Sequence, residues 1–321
     1  MLYTDSNWDN CSTIVFDFRI YNIGVEAELV KQPPVIIIGA GRSGTNMLRD
    51  VLVQIHGLGT WPCDEINYIW RHGNRSYATD EFTRAMATPK VKKFIRNQFE
   101  KLTSTSNLST VVEKTCANSL RCGFVAEVFP EARIVHIVRD GRDVAVSAAQ
   151  RWNAPLDLSY IAKKAKYVPL SDLPYYATKY LGNRVYRLLG GGKRLSSWGP
   201  KFTDMQQVLA NHALPVACAM QWQACVSRTL ADLAEIPASQ QFTLTYERFA
   251  NAAQESIGEI AEFLNVDLSP ANARAYTSAV SDRSIGNWKN KLSAEDRTAV
   301  EGLTGELLQR LGYKCGETSN A

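Results

Sequence analysis

The sequence predicts an α/β fold, a central parallel sheet flanked by helices, on three observations. From Pro34 onward, short apolar runs alternate with longer stretches of helical periodicity, the pattern of parallel strands joined by covering helices. The run Pro34-Val-Ile-Ile-Ile leads straight into Gly39-Ala-Gly41-Arg42-Ser43-Gly44, after which Leu48, Val51, Leu52 and Ile55 recur at helical spacing. That is a buried strand, a tight turn and a helix. The same succession recurs where Arg133-Ile-Val-His-Ile-Val138 meets Arg139-Asp140-Gly141 and a helix over 144–152.

In chain order, residues 1–30 read as an N-terminal extension whose alternation around Asn22-Ile-Gly24 predicts a small hairpin over 13–30. After the first strand and its loop helix come a polar, aromatic stretch from Thr60 to Tyr77 and a basic helix over 91–102. Thr110-Val-Val-Glu-Lys114 is the next strand, and Leu120, Phe124, Val125 and Val128 trace a helix stopped near Pro130. Over 155–212, four prolines, a Gly190-Gly-Gly192 run and many basic residues break the pattern and predict an irregular, largely helical insertion. Helices over 215–233, 252–264 and 295–311 and a strand over 241–246 then complete a single domain spanning 31–316.

The 321 residues are 45% hydrophobic, enough for a sizeable core, and the net charge of +4 is mild and mixed, which points away from nucleic acid. Neither a secretory signal nor a membrane span is read. The seven cysteines show no CxxC or Cys/His metal spacing, and with Cys116, Cys122, Cys218 and Cys225 in helix-like surroundings they fit small buried thiols in a reducing cytoplasm.

A strand, a glycine turn and a helix N-terminus bring unpaired N–H groups and the helix dipole to one point, which suits a phosphate. Three readings compete for the loop, beside an ordinary turn whose glycines serve geometry alone. Gly39-x-Gly41-x-x-Gly44, with Asp64 about twenty residues on, matches a dinucleotide fingerprint, although Gly57-Leu-Gly-Thr-Trp-Pro62 makes a poor second strand. Gly39 and Gly44 have nucleotide-triphosphatase spacing, but Thr45 stands in place of the lysine and Asn46 in place of the Mg²⁺-binding hydroxyl. The third reading uses Arg42, Ser43, Thr45 and Asn46 to surround a terminal phosphate monoester. In the second loop, Arg139 ends its strand, while Ser147 and Arg151 share one helix face, so the three suit a second phosphate.

With these elements the chain resembles the sulfotransferase family, enzymes that use 3′-phosphoadenosine 5′-phosphosulfate (PAPS) and release adenosine 3′,5′-bisphosphate. The resemblance implies a P-loop-like sulfotransferase fold. Gly41, Arg42, Ser43, Gly44, Thr45 and Asn46 correspond to the family's 5′-phosphosulfate loop, and Arg139 and Ser147 to its 3′-phosphate site. Arg283-Ser-Ile-Gly286-Asn287-Trp288-Lys289-Asn290 is similar to the segment that closes over the cofactor, with Asn287 for an aspartate; Arg283 and Trp288 are carried over from it. Other details look like the tyrosylprotein sulfotransferase branch. Cys63-Asp64-Glu65 stands where that branch has two acids, the second its base, and Lys114 where it has a lysine stabilising the transition state. Arg151 and Tyr246 match cofactor contacts there, while Asn67 replaces an arginine.

The resemblance implies in-line transfer of a sulfuryl group, without a metal, to an acceptor hydroxyl on a glycan, glycolipid, phenol or peptide tyrosine. Glu65 would be the base, and Lys114 would stabilise charge at the transferred group. His72 is a reserve base, while His136, alternating with apolar neighbours in a strand, reads as structural. Trp61, Tyr68 and Trp70 read as packed aromatics that could wall an acceptor. The insertion would cap the acceptor site, and its Lys163, Lys164, Lys166, Arg184, Arg187, Lys193 and Arg194 would suit an anionic acceptor or a membrane surface. The alternatives are a Rossmann-type dinucleotide-binding oxidoreductase and a non-catalytic nucleotide-binding regulator.

Overall fold

The computed structural model describes residues 31–152, 166–178 and 198–316. The hairpin expected over 13–30, and all the basic residues of the insertion named above except Lys166, lie outside them. Five parallel strands, β1 (Val35–Ile38), β2 (Leu58–Gly59), β3 (Thr110–Lys114), β4 (Arg133–Val138) and β5 (Gln241–Thr245), form one sheet in the order β2-β3-β1-β4-β5. The helices are α1 (Thr45–Leu52), α2 (Asn67–Trp70), α3 (Pro89–Thr105), α4 (Cys122–Val128), α5 (Gly141–Trp152), α6 (Met205–Asn211), α7 (Leu214–Leu233), α8 (Tyr246–Asn251), α9 (Ala253–Leu264), α10 (Pro270–Tyr276), α11 (Trp288–Lys291) and α12 (Ala294–Arg310). The central α/β sheet flanked by helices is the fold class expected. Among the described residues no helix is long and apolar enough to cross a membrane.

The β-branched run of β1 is buried on both faces, which is why it reads as continuous rather than alternating hydrophobicity. Val35 and Ile37 join Leu48, Val51 and Leu52 of α1 and Ile257, Ile260 and Leu264 of α9 in one cluster. Ile36 and Ile38 face the other way, onto Trp70 of α2, Ile95 and Phe99 of α3, and Phe124 of α4. The helix α3 starts where Thr88 caps Val91 N–H and Pro89 occupies its first turn. Trp222 and Val226 of α7 pack with Val138, Ala40 and Leu308 beneath the loops that follow β1 and β4. Cys122, Cys218 and Cys225 are buried free thiols whose pKa burial pushes up to about 12.

The short elements α6, α8 and α10 span six or seven residues each, less than two helical turns, which leaves few repeats for a periodic pattern. The segment 57–62 supplies only the two-residue edge strand β2. The strand order sets β1 between β3 and β4, so the direction of winding reverses at β1. Ligands of open α/β sheets bind in the crevice beyond the carboxyl ends of the strands at such a point.

Candidate active site

The first loop leaves β1 at Gly39, where a Cβ would stand 2.6 Å from Ile137 O and 2.8 Å from Thr45 Cγ2. Gly44 has φ +88°, and a Cβ there would run into the ring of Tyr246. Between them Arg42 holds φ +73°, a left-handed conformation that costs a non-glycine residue on the order of 1 kcal/mol. Gly44 caps α1 without a side-chain hydrogen bond, leaving the N–H groups of the first turn directed into the crevice. The Ser43 hydroxyl is buried and has no hydrogen-bond partner among the described residues. An orphaned buried hydroxyl at a helix N-terminus fits an anionic oxygen as its partner.

The second loop stands beside the first. Arg42 Nε donates to Ser147 Oγ at 2.9 Å, and Arg139 donates through Nη1 to Arg42 O at 3.1 Å and through Nη2 to Ser284 O at 2.7 Å. Arg139 Nε is buried and unpartnered among the described residues. Partial burial lowers the pKa of Arg42, and the nearby Arg139 and Arg151 lower it further while Cys116 and Asp64 oppose them. Arg42, Arg139, Ser147 and Arg151 thus converge, and the crowding of three guanidiniums is what a phosphate would relieve.

Tyr246 underlies both loops. Its ring touches Gly44 and carries the Arg139 guanidinium 4.3 Å from its centroid, and its hydroxyl pairs with Ser284 Oγ at 2.7 Å. The closing segment is tied down by Asp143, which accepts from Gly286 N at 2.7 Å and Trp288 N at 2.9 Å. Trp288 is buried, with Arg142 at 3.9 Å and Arg297 at 4.7 Å from its ring centroid. Of the two residues carried over from this segment, Trp288 packs on those arginines, and Arg283 is exposed.

Lys114 ends β3 with its ammonium buried. Its Nζ donates to Asp64 Oδ1 at 3.0 Å and Glu65 Oε1 at 3.2 Å. Burial works against the charge, but Glu65, Cys116 and Asp64 outweigh it and raise the pKa of Lys114, so the side chain is cationic at neutral pH. Glu65 Oε1 also accepts from Cys116 N at 3.2 Å, and Cys116 Sγ lies 3.7 Å from Thr45 Oγ1, which joins this pair to the first loop. Asp64 is held by Arg49 of α1 at 3.0 Å.

That network answers the dinucleotide reading. Its acid, Asp64, is committed to Arg49 and Lys114, and β2 lies at the sheet edge, separated from β1 by β3, where a dinucleotide fold needs its second strand beside the first. His72 bonds Asp172 Oδ2 at 2.9 Å through Nδ1 and stacks on Phe94. Burial lowers the pKa of His136 to about 4. Trp61 and Trp70 are core residues packed edge-on against Phe99, and Tyr68 is half-buried edge-on to Tyr176. Sequence reasoning missed Arg49 and Asp143. An acid in the first turn after Arg139-Asp140-Gly141 was a readable signal for Asp143; nothing local marks Arg49.

Fold and site define a P-loop-like α/β protein in which two strand–turn–helix loops and a lysine–glutamate pair meet at the carboxyl ends of the strands. Residues 33–165 match the family model described as the sulfotransferase family. The sulfotransferase domain from the curacin biosynthetic pathway is similar at 12% identity and TM-score 0.51, over 89% of this chain and 100% of that one. Sulfotransferase STF9 from Mycobacterium avium is similar at 13% identity and TM-score 0.51, over 88% and 78% of the two chains. The sulfotransferase domain of the Synechococcus PCC 7002 olefin synthase gives 14%, 0.50, 89% and 97%. Comparison with curated proteins gives no match. The family match thus covers residues 33–165, the solved structures share the fold of this chain, and neither singles out the tyrosylprotein branch.

Proposed function

We propose that this protein transfers a sulfuryl group from PAPS to an acceptor hydroxyl. The observation that carries the reading is the convergence, beyond β1, β3 and β4, of an orphaned loop hydroxyl, an arginine cluster and the Lys114–Glu65 pair. The Arg42–Asn46 loop would hold the 5′-phosphosulfate end, and Arg139, Ser147 and Arg151 the 3′-phosphate. PAPS supplies the activated sulfuryl group. Lys114, an ammonium kept charged by its neighbours, stabilises negative charge where the group departs. Glu65, a carboxylate beside that ammonium, accepts the acceptor's proton at Oε1 or Oε2. The paired loops fix the orientation, which supplies much of the catalysis in an in-line displacement. No lysine–hydroxyl pair for Mg²⁺ stands in the loop, so the reading involves no metal.

The test is a thermal-shift comparison followed by turnover. Adenosine 3′,5′-bisphosphate should raise Tm and NAD should not; a ligand at a hundredfold excess over Kd stabilises by about 2.7 kcal/mol. Purified protein, PAPS and a panel of glycans, glycolipids, phenols and tyrosine peptides should give a product heavier by one sulfate in mass spectrometry. Stabilisation by NAD alone would overturn the reading.

A further inference from the structure

Glu113 precedes Lys114 on β3, is fully buried, and has no part in the chemistry above. Its Oε1 accepts from Thr115 Oγ1 at 2.5 Å and its Oε2 from Asn118 Nδ2 at 3.0 Å. Both partners reach the loop that carries Glu65. Thr115 Oγ1 accepts in turn from the Ile66 backbone N–H at 3.2 Å. Asn118 Oδ1 accepts from Arg121 Nε at 2.9 Å, and Arg121 Nη2 donates to Asn67 Oδ1 at 2.5 Å. Ile66 and Asn67 are the two residues that follow Glu65, so one carboxyl orients two fastenings of that loop, beside the direct bonds that Lys114 and the Cys116 amide make to it.

We propose that Glu113 is a positioning residue of the sulfotransfer site: by orienting Thr115 and Asn118 it sets residues 66 and 67 so that the Glu65 carboxylate meets Lys114 and the Cys116 amide. The proposal rests on the reading of Glu65 and Lys114 as base and cation. The physical case is directional. Because Glu113 takes the Thr115 proton, the hydroxyl's lone pairs are left to face Ile66 N–H; because it takes an Asn118 amide proton, the amide oxygen is left to face Arg121. An apolar side chain of the same volume would fill the site with less desolvation cost but would orient neither donor. Burial pushes the Glu113 carboxyl up to about 7, against the hydrogen bond from Thr115 and the charge of Lys114.

The test uses the full chain with Glu113→Gln, Thr115→Val and Thr115→Ser, and reads kcat, bisphosphate affinity, and hydrogen exchange at the Ile66 amide. The glutamine amide offers one acceptor where the carboxylate offers two, so one fastening is lost. Glu113→Gln should lower kcat about tenfold or more, the size of one misplaced charge-assisted contact. It should leave bisphosphate affinity within about twofold and speed Ile66 exchange about tenfold. Thr115→Val should reproduce both effects and Thr115→Ser should restore them. Added to Glu65→Gln, the Glu113→Gln change should cost little further kcat, because it acts through Glu65. A folded Glu113→Gln variant with native Ile66 protection overturns the proposal, as does an undiminished loss of kcat in the Glu65→Gln background. If the wild type turns over no PAPS, the sulfotransfer reading falls, and the exchange result alone decides whether Glu113 holds the loop.

Discussion

Arg42 sits in a left-handed conformation, and Ser43 buries a hydroxyl and Arg139 an Nε that have no partner among the described residues, all within one crevice. Each is costly alone, of order 1–3 kcal/mol, and an anion would give the Ser43 hydroxyl and the Arg139 Nε the partner they lack. Arg139→Ala should therefore weaken bisphosphate binding about ten- to a hundredfold by calorimetry, the worth of a desolvated charge-assisted bond. Glu65→Gln should leave that affinity nearly intact while kcat falls by about 10²–10⁴. Lys114→Ala should cost about 10²–10³ in kcat. Equal losses of affinity in Arg139→Ala and Glu65→Gln would make Glu65 a cofactor ligand or a structural residue. Turnover should survive EDTA, and inhibition that Mg²⁺ reverses would reopen the phosphoryl-transfer reading.

Among the elements, β1 and β4 carry the loops, and their integrity depends on residues with no chemistry to perform. Gly44→Ala places a Cβ at φ +88° against Tyr246, so the variant should lose about 1–3 kcal/mol in denaturant unfolding and bind the bisphosphate more weakly. In β4, His136 is neutral in the folded chain because burial holds its pKa near 4, below the ordinary 6.5. The unfolded chain binds the proton first as pH falls, so this ring's contribution is present above pH 6.5 and is lost between 6.5 and about 4. The slope is at most about 1.4 kcal/mol per pH unit. A His136→Leu variant should lose less stability than the wild type between pH 7 and pH 5. Parallel pH profiles for the two proteins would mean that His136 is not held neutral.

At the scale of the whole molecule, the site joins segments far apart in the chain. Asp143 in α5 holds the backbone of Gly286 and Trp288, and Arg139 holds Ser284 O, so the closing segment and the second anion loop move as one. Asp143→Asn leaves one of those N–H groups facing an amide donor and removes the partner 3.8 Å from Arg139. Bisphosphate affinity should fall about three- to tenfold, and proteolysis within 281–290 should quicken, with kcat at saturation little changed. Unaltered affinity and protease resistance would show that the segment is held by other contacts.

The sequence by itself determined the longer elements and the two glycine turns that join strand to helix. Strands 110–114 and 133–138 and the helix near 215–233 are long or apolar enough for their periodicity to be decisive, and glycine turns between strand and helix carry their own geometry. Residue types then marked Arg42, Ser43, Arg139, Ser147 and Arg151 as candidate anion ligands, because the spacing within one loop or one helix is local information. Only the tertiary structure decided what meets across the sheet. The strand order that removes β2 from β1, the Arg49–Asp64–Lys114 chain, the Asp143 anchor and the Glu113 hub all join residues from separate elements. Such pairings follow from how strands are ordered and how helices cover them, and no local spacing encodes that order.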